Sequence, residues 1–114
     1  MQNNIERWTK VEINDSLTFN TFADEIDGYL NQICKENSYT LYKSERRDFI
    51  YSVCVENNKT GKIAIIKFPN AKHLKNAWFK RISIQPIDDV NGAVGNKYYD
   101  SLLNVIDIMK LATR

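Results

Sequence analysis

Residues 39–69, YTLYKSERRDFIYSVCVENNKTGKIAIIKFP, decide the fold. Tyr39–Ser44 reads as a first strand. Asp48–Glu56 reads as a second, with Phe49, Tyr51, Val53 and Val55 on one face and Ile50, Ser52 and Cys54 on the other. Asn57-Asn58-Lys59-Thr60-Gly61 is rich in residues that tolerate positive φ and predicts a hairpin loop. Lys62–Phe68 is the third strand, apolar on both faces, with Ile63 and Ile65 opposed to Ala64, Ile66 and Phe68. Such a strand belongs in the middle of a sheet, with the charge on its neighbours. Pro69 stops it.

Before this meander, Phe19, Phe22, Ile26, Tyr29, Leu30 and Ile33 recur at steps of three and four, the stripe of an amphipathic helix. Thr21 and Asp24 are placed like a capping pair, with Asp24, Glu25 and Asp27 in the first turns. Gly28 weakens a helix and predicts close packing against a neighbour. Ile5–Ile13 alternates partially and reads as an edge strand or extended arm.

After the meander, Asn70 can cap a short helix over Ala71–Trp78. Phe79–Gln85 alternates as a strand ended by Pro86, Asp88–Asn96 is a loop, and Lys97–Ala112 is a final helix with a wide apolar arc. The order (β)αβββ(α)βα predicts an α+β fold, a mostly antiparallel sheet of 4–5 strands with helices on one face.

With 114 residues, 43% hydrophobic and 26% charged, the chain has the size and composition of one globular domain, 1–114. Disorder and a disulfide scaffold are disfavoured. The longest apolar run, Ile63–Ile66, is far short of the ~20 residues of a membrane span. The opening MQNNIERWTK lacks a secretory pattern, so the expectation is a cytoplasmic protein with reduced Cys34 and Cys54. Abundant Asn, Lys, Ile and Tyr fit an AT-rich genome of bacterial or phage type.

The net charge of +2 is unevenly spread. Residues 36–81 carry ten Lys/Arg against four Asp/Glu, a net +6, while both flanks are acidic. A basic middle third points to an anionic partner.

The chemistry-bearing patterns are few. One His (His73) and two Cys without paired spacing give no zinc site and no nucleophilic triad. The helix–meander–helix–strand order resembles the core of the PD-(D/E)xK nucleases, and Lys67 stands at the lysine position. Ile65, however, occupies the acidic one, so metal-assisted cleavage is not expected. Leu30–Asn37, the three strands and Ala71–Trp78 are similar in layout to double-stranded-RNA-binding domains, with Lys72, His73 and Lys75 as phosphate contacts. The first loop those domains use is reduced here to Glu45-Arg46-Arg47-Asp48, and neither family is assigned. Gly92–Lys97, GAVGNK, would place free amides before a helix, but reads first as a plain connection.

The leading expectation is therefore a non-enzymatic nucleic-acid-binding protein, without metal or cofactor. Its surface would use Tyr42, Lys43, Arg46, Arg47, Lys59, Lys62, Lys72, Lys75, Lys80 and Arg81. The alternative is a protein-binding module (inhibitor, immunity protein or adaptor) acting through Tyr99, Leu103, Ile106 and Lys110. The same side could mediate homodimerisation. No membrane partner is expected.

Overall fold

The computed structural model describes residues 5–71, 81–88 and 90–114, with Glu6 and Thr9 as backbone alone. A 3-10 helix, Ile5–Lys10, leads into helix α1, Ser16–Glu36. Strands β1 (Tyr39–Arg47), β2 (Ile50–Asn57), β3 (Ile63–Lys67), β4 (Ile82–Asp88), β5 (Gly92–Ala93) and β6 (Tyr98–Asp100) follow. A short 3-10 turn, Leu102–Asn104, then leads into helix α2, Val105–Ala112. The antiparallel sheet runs β1-β2-β3-β4-β5, with β6 also on β4. The fold is thus α+β, and β3 is central, as its two apolar faces require. The expected helix beyond Ala71, with His73 and Trp78, lies outside the described residues.

One face of the sheet is the core. Tyr51, Val53, Val55, Ala64, Ile66, Ile82 and Ile84 bury themselves against Phe22, Ile26 and Leu30 of α1 and Val105 and Met109 of α2. Ring contacts knit the end of this core: Phe68 meets Tyr51 at 5.2 Å and Phe22 at 6.4 Å, both edge to face. No helix among the described residues is long and apolar enough to cross a membrane.

Several expectations give way to local physics. The N-terminal segment is not a strand: Ile5, Trp8 and Val11 fall three residues apart, the repeat of a 3-10 helix. Ile5, Trp8 and Ile13 are buried, and Trp8 meets Phe22 edge to face at 5.5 Å. Helix α1 starts earlier than the Thr21 pair implies. Its N-cap is Asp15, whose carboxylate accepts from Thr18 N at 2.7 Å and Thr18 Oγ1 at 3.1 Å. Asp24, Glu25 and Asp27 therefore sit beyond the first turn, and Thr21 donates to Leu17 O. Nothing packs on Gly28: a Cβ there would meet no atom within 4 Å.

The β1–β2 turn is two residues, Asp48-Phe49, both at positive φ (50° and 65°). That is the geometry whose twist matches a tight hairpin. Phe49 tolerates it because its ring packs on Phe19 at 5.4 Å and its carbonyl accepts from Ala71 N at 2.9 Å.

Pro86 does not end β4 either. Its carbonyl faces β5, accepting from Val94 N at 2.9 Å, so its missing N–H falls on that side and costs the β3 ladder nothing. The expected helix Lys97–Ala112 divides. Tyr98–Asp100 pairs with β4, and the Asp100 carboxylate then accepts from Ser101 N and Asn104 Nδ2, turning the chain before α2 begins. Leu102, Val105, Met109 and Ala112 still form the buried stripe.

Candidate nucleic-acid interface

Because side chains alternate along strands, the face opposite the core is set by the same register. One row crosses the sheet through Glu45, Ser52, Lys67, Ser83 and Tyr99; the next runs Lys43, Cys54, Ile65 and Gln85. Among the described residues, both α1 and α2 pack on the other side, leaving this face open.

The open face is concave. A register shift between Leu41 and Lys43 makes Tyr42 the extra residue of a β-bulge, which increases local twist and turns its ring outward. Across the sheet, Gln85 Nε2 donates to Gly95 O at 3.2 Å and fixes the loop that carries Lys97. Between them lies a groove of about 500 Å3, lined by Tyr42, Lys43, Ile65, Lys67, Gln85 and Lys97 among others. A second depression toward the β1–β2 turn is lined by Arg47, Ile50, Ser52 and Lys67.

Among the described residues, Arg47, Lys67 and Lys97 have no ion-pair partner. Lys43 meets Glu45 at 3.3 Å, but both are well exposed, so water screens the pair and the ammonium stays accessible. Arg81 lies on the ring of Tyr99, 4.6 Å from its centroid. Glu45 and Glu56 share the face, Asp48 lines the second depression and Asp88 the groove wall, so five cations stand against four carboxylates. Tyr42 is 43% exposed and Tyr99 52%.

The expected basic surface is thus partly gathered and partly dispersed. Tyr42, Lys43, Arg47 and Arg81 share the open face. Lys62 borders a separate recess with Ile63 and Pro86, and Lys59 sits in the β2–β3 loop. Arg46 points to the helix side, where its Nη2 donates to Asp24 at 2.6 Å and Asp27 at 2.8 Å. Its charge is spent on holding the fold. Lys72, Lys75 and Lys80 lie outside the described residues.

Two groove lysines were absent from the expected set. Lys67 was legible, since it shares strand parity with Ile63 and Ile65, away from the core pair Ala64 and Ile66. Lys97 was not, because it precedes a three-residue strand rather than a helix. That strand also removes the helix N-terminus from Gly92–Lys97, whose first two residues form β5.

The alternative set is divided between faces. Tyr99 belongs to the open face, Leu103 is 51% exposed in the 3-10 turn, Ile106 packs half-buried on the core, and Lys110 is exposed on α2.

Other candidate chemistry is muted. Among the described residues no three His, Cys, Asp or Glu cluster as a metal site. Cys34 and Cys54 are outside any disulfide, and burial pushes the Cys34 thiol up to about 11, away from thiolate reactivity. In comparisons with known proteins, the chain matches no family model, no curated protein and no solved structure.

Proposed function

We propose that this is a small, non-enzymatic nucleic-acid-binding protein that holds its ligand on the open face of the sheet. The observation that carries the reading is the groove in which Lys43, Lys67 and Lys97 surround an exposed tyrosine, with Arg47 and Arg81 on the same face. Ammonium and guanidinium groups that neutralise phosphates release condensed counterions, and that release drives binding. The sheet register fixes the backbone positions from which Lys43 and Lys67 project, so binding has chiefly their side chains to order.

The test is a salt titration with a labelled oligonucleotide. Neutralising about four phosphates predicts roughly a hundredfold loss of affinity between about 50 and 200 mM salt. Absence of binding at the low end would reject the reading.

The second reading, a protein-binding module, draws support from the exposure of Tyr99 and Leu103. A partner held there would be retained at high salt and released by Leu103→Asp.

A further inference from the structure

We infer that the outer edge of the sheet, strand β1, pairs antiparallel with β1 of a second copy of this chain, about a two-fold axis at Ser44. Nothing in this pairing depends on the nucleic-acid reading.

The ladder fixes which way the edge points. Along a strand, alternate residues turn N–H and C=O to the same side. The Tyr51 carbonyl accepts from Phe68 N and the Asn57 N–H donates to Lys62 O, both at 2.9 Å, so the odd-numbered residues of β2 face β3. Ser44 opposite Val53 and Arg46 opposite Tyr51 are therefore non-hydrogen-bonded pairs, and both turn N–H and C=O outward from the sheet. Neither makes a main-chain bond on that side among the described residues. Residues 42–47 are all exposed. Arg46 is exposed as a residue although its side chain is only 27% so, which puts the accessible surface on its main chain.

A free edge accepts any strand unless its side chains select. On the open face β1 carries Lys43, Glu45 and Arg47, charges that alternate in sign. With Ser44 opposite itself, its N–H donates to the partner's Ser44 carbonyl and the bond is returned. Each Lys43 then stands opposite the partner's Glu45, at the closely spaced positions of the ladder where Cα atoms approach to ~4.5 Å. A shift of two residues would set Glu45 against Glu45 and Lys43 against Arg47, like charges throughout. An axis at Arg46 would bring two guanidinium side chains together, whereas Ser44 brings only two hydroxymethyl groups. A foreign strand would need the same alternation by chance; a second copy carries it by construction. So short a pairing makes a reversible dimer governed by protein concentration. The two open faces would lie on one side of a continuous sheet.

The experiment is sedimentation equilibrium without nucleic acid, from about 10 to about 500 µM protein. The weight-average mass should climb from 13.3 kDa toward twice that value. Ser44→Pro removes the outward N–H, which the β1–β2 ladder does not use, and should hold the protein monomeric. Glu45→Lys puts like charges at both contacts and should weaken association at least about tenfold. Lys43→Glu/Glu45→Lys exchanges the pair and should restore it. Glu45 is exposed, so its variants should keep the parent's circular dichroism even if the proline variant does not fold. A 13.3 kDa species at every concentration, or a dimer indifferent to Glu45→Lys, would overturn the inference. So would a double variant that associates as weakly as Glu45→Lys alone. The nucleic-acid reading is untouched by any of these outcomes, since oligonucleotide binding is measured separately.

Discussion

Arg46 on β1 donates from Nη2 to Asp27 Oδ2 on α1 at 2.8 Å, and the same nitrogen reaches Asp24. The second Asp27 oxygen accepts from the hydroxyl of the buried Tyr51. Desolvation pulls the Arg46 pKa down, but hydrogen bonds and charge from Asp24 and Asp27 outweigh it, and the group is held more firmly protonated than usual. Burial and the bond to Asp27 raise the Tyr51 phenol in turn. The most prominent cation of the basic middle third is therefore a clamp between sheet and helix.

Removing that clamp separates stability from binding. The Arg46 side chain is only 27% exposed, so Arg46→Gln should cost about 1–2 kcal/mol, discounted for the openness of Asp24. Urea unfolding measures it. Nucleic-acid affinity of the folded variant should not change, whereas Lys67→Gln should lower affinity and leave the urea midpoint where it was.

Gly28 is the converse case. It is exposed within α1, and the space beside it is empty, so Gly28→Ala should raise stability by about 1 kcal/mol. Thermal unfolding would show the gain, and a loss would mean that something packs there.

A buried polar knot holds α2 to the β2–β3 hairpin. Thr113 Oγ1 donates its one proton to Met109 O at 2.6 Å, so Tyr39 must be the donor in the 2.7 Å contact between their hydroxyls. Asn57 Nδ2 and Thr60 Oγ1 also donate to Thr113 O, at 3.3 and 2.8 Å. Thr113→Val keeps the volume but removes the acceptor of the Tyr39 hydroxyl proton, leaving that hydroxyl only the 3.4 Å bond it accepts from Asn57 Nδ2. It should destabilise by about 1–3 kcal/mol, read from the shift of the urea midpoint.

Acid should weaken the fold through two carboxylates. Asp15 is held below the ordinary 3.8, first by the backbone N–H of Thr18 and then by its hydroxyl. Asp100 is lowered likewise, first by the Asn104 amide and then by Ser101 N–H. Folded values below unfolded ones mean stability that is complete above pH 3.8 and lost as pH falls through the folded values. Urea midpoints from about pH 6 to about pH 2 should fall less steeply for Asp15→Asn combined with Asp100→Asn than for the parent.

What could be read from the sequence followed from periodicity. The α1 stripe, the meander and the central place of β3 needed only the steps of 3.6 and 2. The errors came where tertiary contacts set local structure. Ile5 and Trp8 follow a 3-10 repeat that is too short to stand out, and Tyr98–Asp100 is claimed by β4 although the residues around it continue a helical stripe. The site divides the same way. Strand parity places Lys43 with Cys54 and could have placed Lys67. The pairing of Arg46 with Asp24 and Asp27 spans about twenty residues of sequence, and composition reports its charge without its partner.

The most direct check of the groove is the salt slope of single-strand binding in Lys43→Gln/Lys67→Gln/Lys97→Gln against the parent. Each phosphate contact contributes ~0.7 to that slope, so the triple variant should lose about 2 units in log affinity against log salt. Its affinity should also collapse at low salt, with its urea midpoint unchanged. An unaltered slope and affinity would place the phosphate contacts elsewhere and contradict the account.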